Sequence, residues 1–459
     1  MHETRPAVVS GSSDPPSARA HAHARLNVVF IVSDDERLDG NAVMTNVRHL
    51  LGDHGVTFSN FNVTTSMCAP SRASILTGLY SHHTGVQGNF GRHSYPAFDE
   101  NSDLPVWLHR AGYETALVGK YLNDYSLDGG NAIPPGWDDW QAIDSVPLER
   151  YYDYDLNENG RIAHFGNAPS DYSTTVLTNR ALAFLRTARR PFFLYFAPVA
   201  PHLPATPAPE DVGKLDSLPP LASPSVNQVN ISSEPWASYH SRALDHAGVA
   251  YTDDVRRRQL ESLLALDRSV KEIVDTLAQR HELGRTVIFY TSDNGFLWGE
   301  HRLGGKLWPY SQSTHVPLVV RTPWTTANGT VNREPVLNID FASTISQLAG
   351  ISPGQPQDGA SFVPMLHGEK MRWRKDYLIE YLGENALRVG GPPPYVAIRT
   401  PRYLYVEYRY QGWQELYDLR HDPWELRNVA FDPAYASTVK TLRRELRRLY
   451  HRPPHRVAS

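Results

Sequence analysis

The hydrophobic positions of this chain fall first into short unbroken runs. Val28-Val29-Phe30-Ile31-Val32 follows Asn27 without a polar interruption and then meets Ser33-Asp34-Asp35. A run of that length without alternation is the pattern of a strand buried on both faces, and such strands belong to parallel sheets. Similar runs recur at Thr115 to Val118, Phe192 to Ala197, Thr286 to Thr291 and Pro317 to Val320. Helical patterns lie between them, at Leu104 to Ala111, Val176 to Thr187 and Leu260 to Ala278. The clearest stripe predicts a helix from about Asp254 to Arg280, because Leu260, Leu263, Leu264, Val270, Ile273, Val274 and Leu277 recur three and four apart, with Gly284 placed to end it. Alternation of strand and helix predicts an α/β fold around a mostly parallel central sheet.

The pattern changes near Trp373. Tyr377 to Tyr381, Tyr395 to Arg399, Tyr403 to Tyr408 and Glu415 to Leu419 are short aromatic stretches separated by turns, which predict an antiparallel sheet. A helix from about Ser437 to Tyr450 follows; its arginines, set between Leu442, Leu446 and Leu449, read as a solvated face, with binding of an anionic polymer as the alternative. Tyr151 to Leu156 and Arg161 to Phe165 flank Asn157-Glu158-Asn159-Gly160, a predicted hairpin. The chain thus divides into a Ser-, Pro-, Ala- and His-rich lead-in over 1–26, expected to be disordered, an α/β domain over 27–372, and a smaller α+β subdomain over 373–459. Its 459 residues exceed the roughly 250 to 300 at which single cores stop growing.

Composition narrows the function. With 45 basic and 49 acidic side chains and a net charge of -4, no global field points to nucleic acid or to a membrane surface. The longest apolar runs fall far short of the ~20 residues that span a bilayer, so no membrane span is expected. The lead-in lacks the apolar core of a signal peptide, which favours a cytoplasmic location over export with the leader removed. Cys68 is the only cysteine, so no intramolecular disulfide forms.

In open α/β sheets ligands bind beyond the carboxyl ends of the strands. Read there, the chain delivers Asp34 and Asp35, then Gly119-Lys120, then Ala200-Pro201-His202, then Ser292-Asp293-Asn294-Gly295. Singly, each has an ordinary explanation as a cap, a turn, a surface ion pair or a loop histidine. Together, three carboxylates and an amide oxygen suit a hard divalent cation, calcium or magnesium in preference to zinc, beside a lysine and a histidine suited to an anion.

A lone cysteine is ordinarily an inert packed residue. Here Pro70 suits the first turn of a helix, and Ser74, Ile75, Leu76 and Leu79 continue a short amphipathic helix towards Gly85. Cys68 then sits at a helix N-terminus with Arg72 one turn on, so an anion brought to it meets free N–H groups and positive charge.

Cys68-Ala69-Pro70-Ser71-Arg72, followed by Leu76-Thr77-Gly78, resembles the signature of the type I sulfatases, and further matching blocks follow in order from about Asn27 to about Ala430. The resemblance implies an alkaline-phosphatase-like fold, hydrolysis of a sulfate monoester, and oxidation of Cys68 to formylglycine by a formylglycine-generating enzyme. The hydrated aldehyde is the nucleophile in that family, and its second hydroxyl has a purpose: losing that proton expels sulfate, where a serine would be left as a stable ester. By the same resemblance Asp34, Asp35, Asp293 and Asn294 bind Ca2+, with Mg2+ the alternative. Arg72 and Lys120 steady the nucleophile and sulfate, and His202 and Lys306 serve the leaving group. Asn123 is assigned to substrate binding, since Leu122 occupies the place where many sulfatases carry a histidine; His301 is assigned likewise. Gly119-Lys120-Tyr121-Leu122-Asn123 with Pro134-Pro135-Gly136-Trp137 looks most like the N-acetylglucosamine-6-sulfatases and heparan sulfate 6-O-sulfatases, which implies a 6-sulfated amino sugar or glycosaminoglycan end as substrate. Ser311-Gln312 and His315 depart from the family pattern, where acidic residues and an arginine are common, and an altered substrate rim is expected. Two rivals remain: a phosphonate monoester or phosphodiester hydrolase with the same site, and a catalytically silent glycan-binding relative.

Overall fold

A computed structural model describes residues 25–456 except 126–130, 144–149, 190, 240–241, 326–328, 385, 388–389 and 411. The disorder expected of the lead-in concerns residues that lie, but for 25 and 26, outside those described. A ten-stranded sheet forms the centre. Five neighbouring strands run parallel: Thr286–Ser292, Asn27–Ser33 (β1), Phe192–Ala197, Glu114–Gly119 and Asp139–Ile143. All seven residues of β1 are buried, because the strand is covered on both faces. Val28, Phe30 and Val32 join one core with the helices Cys68–Thr77 (α1), Leu104–Arg110 and Asp340–Leu348. Val29 and Ile31 point the other way, into a core shared with the helices Ser173–Thr187 and His246–Gln279.

Three details differ from the pattern. Leu318–Arg321 pairs antiparallel with Thr286–Ser292; only the short turn Ser311–Thr314 lies on the way as helix, and without a crossover helix the chain returns in the opposite sense. The long helix begins at His246, not near Asp254, where Asp245 Oδ1 caps it by accepting from the Gly248 N–H at 2.9 Å. Its first turns stand clear of the core and carry no apolar stripe. α1 is neither amphipathic nor continuous to Gly85. Every one of its residues is buried, and it stops at Thr77. Gly78 takes φ +74°, and a Cβ there would lie 1.9 Å from Gln357 Oε1. A separate turn, Ser81–Thr84, then leads to Gly85.

The second sheet is antiparallel, with strands Tyr377–Tyr381, Tyr395–Arg399, Tyr403–Tyr408 and Gln414–Asp418 in that order. The helix Ala436–Tyr450 covers one face through Val439, Leu442 and Leu446. The other face packs on Trp236, Trp308, Tyr310 and Leu337, an aromatic core supplied by segments outside the ten-stranded sheet. The predicted hairpin forms as Tyr154–Glu158 and Arg161–Phe165 at one edge of the large sheet.

Candidate active site

Four adjacent parallel strands end at one place. Residues following Thr286–Ser292, β1, Phe192–Ala197 and Glu114–Gly119 supply Asp293 and Asn294, Asp34 and Asp35, His202, and Lys120 respectively. Local geometry fixes each turn. The Asp34 N–H donates to Ala200 O at 3.0 Å, and Asp35 adopts φ +73°, a left-handed conformation that aspartate tolerates. Gly119 has φ +119° and passes so near the neighbouring strand that a Cβ would lie 2.1 Å from Ala197 O. Only glycine permits that approach, which delivers Lys120.

Cys68 opens α1, with Met67 extended before it. Its Sγ lies 3.7 Å from Asp34 Oδ1 and 2.8 Å from Lys306 Nζ. Lys306 also donates to Asp35 Oδ1, and Lys120 Nζ donates to Asp34 Oδ2 at 2.6 Å. His202 Nδ1 donates to Leu203 O at 2.7 Å, which turns Nε2 to within 3.6 Å of Asp35 Oδ2. Arg72 is wholly buried and faces the acids: Nε donates to Asp293 Oδ2 at 2.8 Å and Nη1 to Lys120 O at 2.9 Å. It therefore holds the cluster together from behind.

Donor atoms of Asp34, Asp35, Cys68 and His202 all lie within 4.8 Å of one another. Asp293 and Asn294 join this group through Asp35, whose N–H donates to Asp293 Oδ1 at 3.1 Å and whose Oδ1 accepts from Asn294 Nδ2 at 2.6 Å. Because the Asn294 amide nitrogen is spent on Asp35 and Gly295 O, its Oδ1 is left buried with no partner among the described residues. An orphaned acceptor beside three carboxylates fits a hard divalent cation.

The charges explain one another. Burial pushes Asp34 up, but Lys120, His202, Arg72 and Lys306 outweigh it and hold the carboxyl well below the usual range. Burial and the Asp34 charge raise Asp293 against the pull of Arg72. His202 is pushed down by burial and up more strongly by Asp35 and Asp34, to about 10. Lys306 is raised well above the ordinary lysine value because Asp35 overrides its burial. Both remain charged donors at neutral pH.

Two cavities flank the cluster. One of about 390 Å³ carries Asp35, His202 and Lys306 beside Tyr251, Phe296 and Trp298. Another of about 740 Å³ lies against Met67 and Asn89, between Phe90 and Arg92 on one side and Tyr381 and Tyr410 on the other.

The sulfatase family profile matches residues 26–351. The chain belongs to the sulfatase family. A second profile, the C-terminal region of N-sulphoglucosamine sulphohydrolase, matches 299–452. This sulfatase is 34% identical over 461 aligned positions to the N-acetylglucosamine-6-sulfatase of Capra hircus, covering 90% of this chain and 81% of that protein. It is 26% identical to the N-acetylglucosamine-6-O-sulfatase of Bacteroides thetaiotaomicron, covering 91% and 85%. A solved structure of BT4656 with its substrate D-glucosamine-2-N,6-O-disulfate superposes with a TM-score of 0.79 at 24% identity, over 94% of this chain and 99% of that one. The phosphonate monoester hydrolase of Agrobacterium radiobacter shares the fold at a TM-score of 0.74 and 22% identity, covering 93% and 95%. The chain is accordingly a hydrolase of sulfate esters with an alkaline-phosphatase-like fold.

Other residues named from the sequence fall at varying distances from this chemistry. Asn123 is buried in the turn that carries Lys120. His301 is fully buried, with Nδ1 2.8 Å from Gln228 Oε1 and its ring stacked on Tyr310 at 4.2 Å; burial holds it down at about 3. A neutral, enclosed imidazole braces the loop behind Lys306. Ser311 and His315 do not form a rim: Ser311 Oγ donates to Glu425 Oε1 at 2.8 Å, and His315 Nε2 lies 3.1 Å from Ser59 O. Two asparagines matter that no motif marks as chemical. Asn338 Oδ1 accepts from Thr64 N and Thr64 Oγ1, both at 3.0 Å, while its Nδ2 donates to Ser71 Oγ at 3.0 Å. Asn89 Oδ1 accepts from the Ala69 N–H at 2.9 Å, taking one of the free donors of the α1 N-terminus. Asn338 stands in Leu337-Asn338-Ile339-Asp340, one of the blocks that match the family, but nothing there marks the asparagine itself beyond its polar place in an apolar run.

Proposed function

We propose that the protein desulfates a 6-O-sulfated glucosamine, at the end of a glycosaminoglycan or as a free sugar. The observation that carries the reading is the meeting of Cys68 Sγ, Lys306 Nζ and the Asp34/Asp35 pair in a buried cluster. The names of the relatives, which act on N-acetylglucosamine 6-sulfates, support the sugar.

When present, formylglycine at residue 68 supplies the nucleophilic hydroxyl, and a divalent cation, Ca2+ in preference to Mg2+, held by Asp34, Asp35, Asp293 and Asn294 supplies positive charge at the sulfate oxygens. The chain does the rest. Lys120 and Arg72 hold Asp34 and Asp293 in place and favour their charged forms. Lys306 and His202, both cationic at neutral pH, stand on the pocket side of the nucleophile and stabilise charge on the departing sugar oxygen, with a proton available from His202 Nε2 or Lys306 Nζ. Walls of Phe296, Leu297 and Trp298 exclude water from that side.

The test joins two measurements on protein co-expressed with a formylglycine-generating enzyme. Mass spectrometry of the Cys68 peptide is expected to show aldehyde in place of thiol. Sulfate release from N-acetylglucosamine 6-sulfate is expected at a kcat/KM above that for aryl phosphonate esters. Faster hydrolysis of the phosphonate by converted protein would overturn the assignment, and converted protein without turnover would mark a silent binding relative.

A further inference from the structure

The motif left over is the arginine-rich end of the chain. Although the net charge is -4, positive charge concentrates on one face, where the helix Ala436–Tyr450 meets the segment 370–375, Lys-Met-Arg-Trp-Arg-Lys. Two clefts lie there. One of about 490 Å³ is lined by Arg372, Arg374, Arg448 and Arg452, with Met371 and Trp373 between them. A second of about 450 Å³ carries Arg333 and Lys375, and Arg374 lines both, so the two clefts adjoin as a basic track.

The acids nearby are already committed. Asp340 takes both guanidinium nitrogens of Arg374. Asp358 accepts from the Tyr80 N–H at 2.9 Å and meets His83 Nδ1 at 2.7 Å. Glu425 meets Arg399 at 3.1 Å. Arg448 leans on Glu445 at 2.7 Å and only loosely on Asp376 at 3.8 Å. The side chains of Arg333, Arg372, Lys375 and Arg452 have no ion pair or hydrogen bond among the described residues, against one unpaired acid on the track, Glu334. His455 feels this field: burial, then Arg452 and Arg374, hold it below the ordinary histidine value. The Arg374 guanidinium lies 4.6 Å over the half-buried Trp373 ring, and Met371 stands exposed beside it, giving the track apolar surface between its charges.

Tyr80 and Asp358 place the track at the C-terminal end of α1. Cys68 is at the other end, about 15 Å away for ten residues at 1.5 Å each. The track is therefore separate from the chemistry. We infer that it is a binding site for a polysulfated polysaccharide, whose sulfates pair with Arg333, Arg372, Lys375 and Arg452 while sugar faces rest on Met371 and Trp373. The choice of a sulfated glycan over a nucleic acid rests on the proposed function; guanidinium forks and apolar patches at intervals suit both sulfate esters and pyranose rings.

The full chain carrying Cys68→Ala, which removes any dependence on conversion, is titrated with a fluorescent heparin octasaccharide by anisotropy across a series of NaCl concentrations. Adding Arg372→Ala and Arg452→Ala is expected to weaken binding at least tenfold and to lower the salt slope by about two. Arg372→Lys with Arg452→Lys is expected to keep the affinity within about threefold, and oligothymidylate of matched charge to bind at least tenfold more weakly than heparin. Unchanged binding in the double alanine variant, or equal affinity for the DNA, would overturn the inference. In converted enzyme the same alanine pair is expected to leave turnover of 4-methylumbelliferyl sulfate unchanged, and a loss there would overturn it too. If converted wild-type protein hydrolysed no sulfate ester, the proposed function would fail while the heparin titration still read the track.

Discussion

Replacing Lys306 by methionine keeps the length of the side chain and removes its charge. Lys306 Nζ lies 2.8 Å from Cys68 Sγ and is held there by Asp35; the proposed role has the same ammonium swing to hydrogen-bond distance of the leaving oxygen of a bound ester. A full charge at that separation interacts with the ammonium by about 6 kcal/mol at an effective dielectric near 20. A leaving oxygen carrying about half a charge would lose ~3 kcal/mol, a factor of about 10² to 10³ in rate, which is the size seen when one oxyanion donor is removed. A sugar alcohol leaves poorly and keeps that partial charge on its oxygen. Nitrophenolate spreads it over the ring. The assay is kcat/KM for a series of sulfate esters with leaving groups from nitrophenol to N-acetylglucosamine, using converted wild type and Lys306→Met. The expected result is a loss of about 10² to 10³ on the sugar sulfate and under about tenfold on nitrophenyl sulfate, giving a steeper dependence on leaving-group pKa. Equal losses across the series would refute the reasoning, since they would show that Lys306 only holds the sulfate.

Arg72→Ala strands the buried Asp293 charge and is expected to cost about 3 to 5 kcal/mol of stability; in a double-mutant cycle by chemical unfolding, Asp293→Ala should recover part of it, and strict additivity would count against a direct pair. Saturating calcium, at about a thousand times its Kd, should add ~4 kcal/mol, read as a higher Tm than in EDTA; Asp35→Asn should shrink that difference, and identical Tm values in wild type would argue against a cation site. Glu415 is raised from 4.5 to about 7 by burial, which outweighs the hydrogen bonds from Tyr408, Tyr417 and Tyr310 that pull it down. Its proton is bound in the folded state and released on unfolding, so its contribution, on the order of 3 kcal/mol, is present below about pH 4.5 and lost as pH rises through 7. Glu415→Gln should flatten the fall in Tm between pH 5 and 8, and an unchanged slope would place the titration elsewhere.

What the residue pattern could convey depended on whether a cause was local. The central strands announce themselves because β1 and its neighbours are apolar on both faces, and the polar residues that end each run are those the sheet gathers at one edge. The convergence of Asp34, Asp35, Lys120, His202 and Asp293 was legible for that reason. The direction of Leu318–Arg321 was not, because a four-residue apolar strand looks the same whichever way it runs. α1 reads as amphipathic because Ser71, Arg72 and Ser74 are polar, yet all three are buried: Ser71 against Asp293 and Asn338, Arg72 against Asp293, and Ser74 with no hydrogen-bond partner for its hydroxyl among the described residues. Polarity along the chain does not by itself predict exposure. Asn338 and Asn89 were silent for the same reason, each fixed by atoms far away along the chain.

The complete enclosure of α1 sets a deadline. Cys68 has no surface open to solvent once α1 is packed beside Asp34 and Lys306. On the proposed conversion to formylglycine, the modifying enzyme is expected to act on a nascent or unfolded polypeptide, before the core shuts. A batch purified as thiol is then expected to stay thiol unless it is unfolded first.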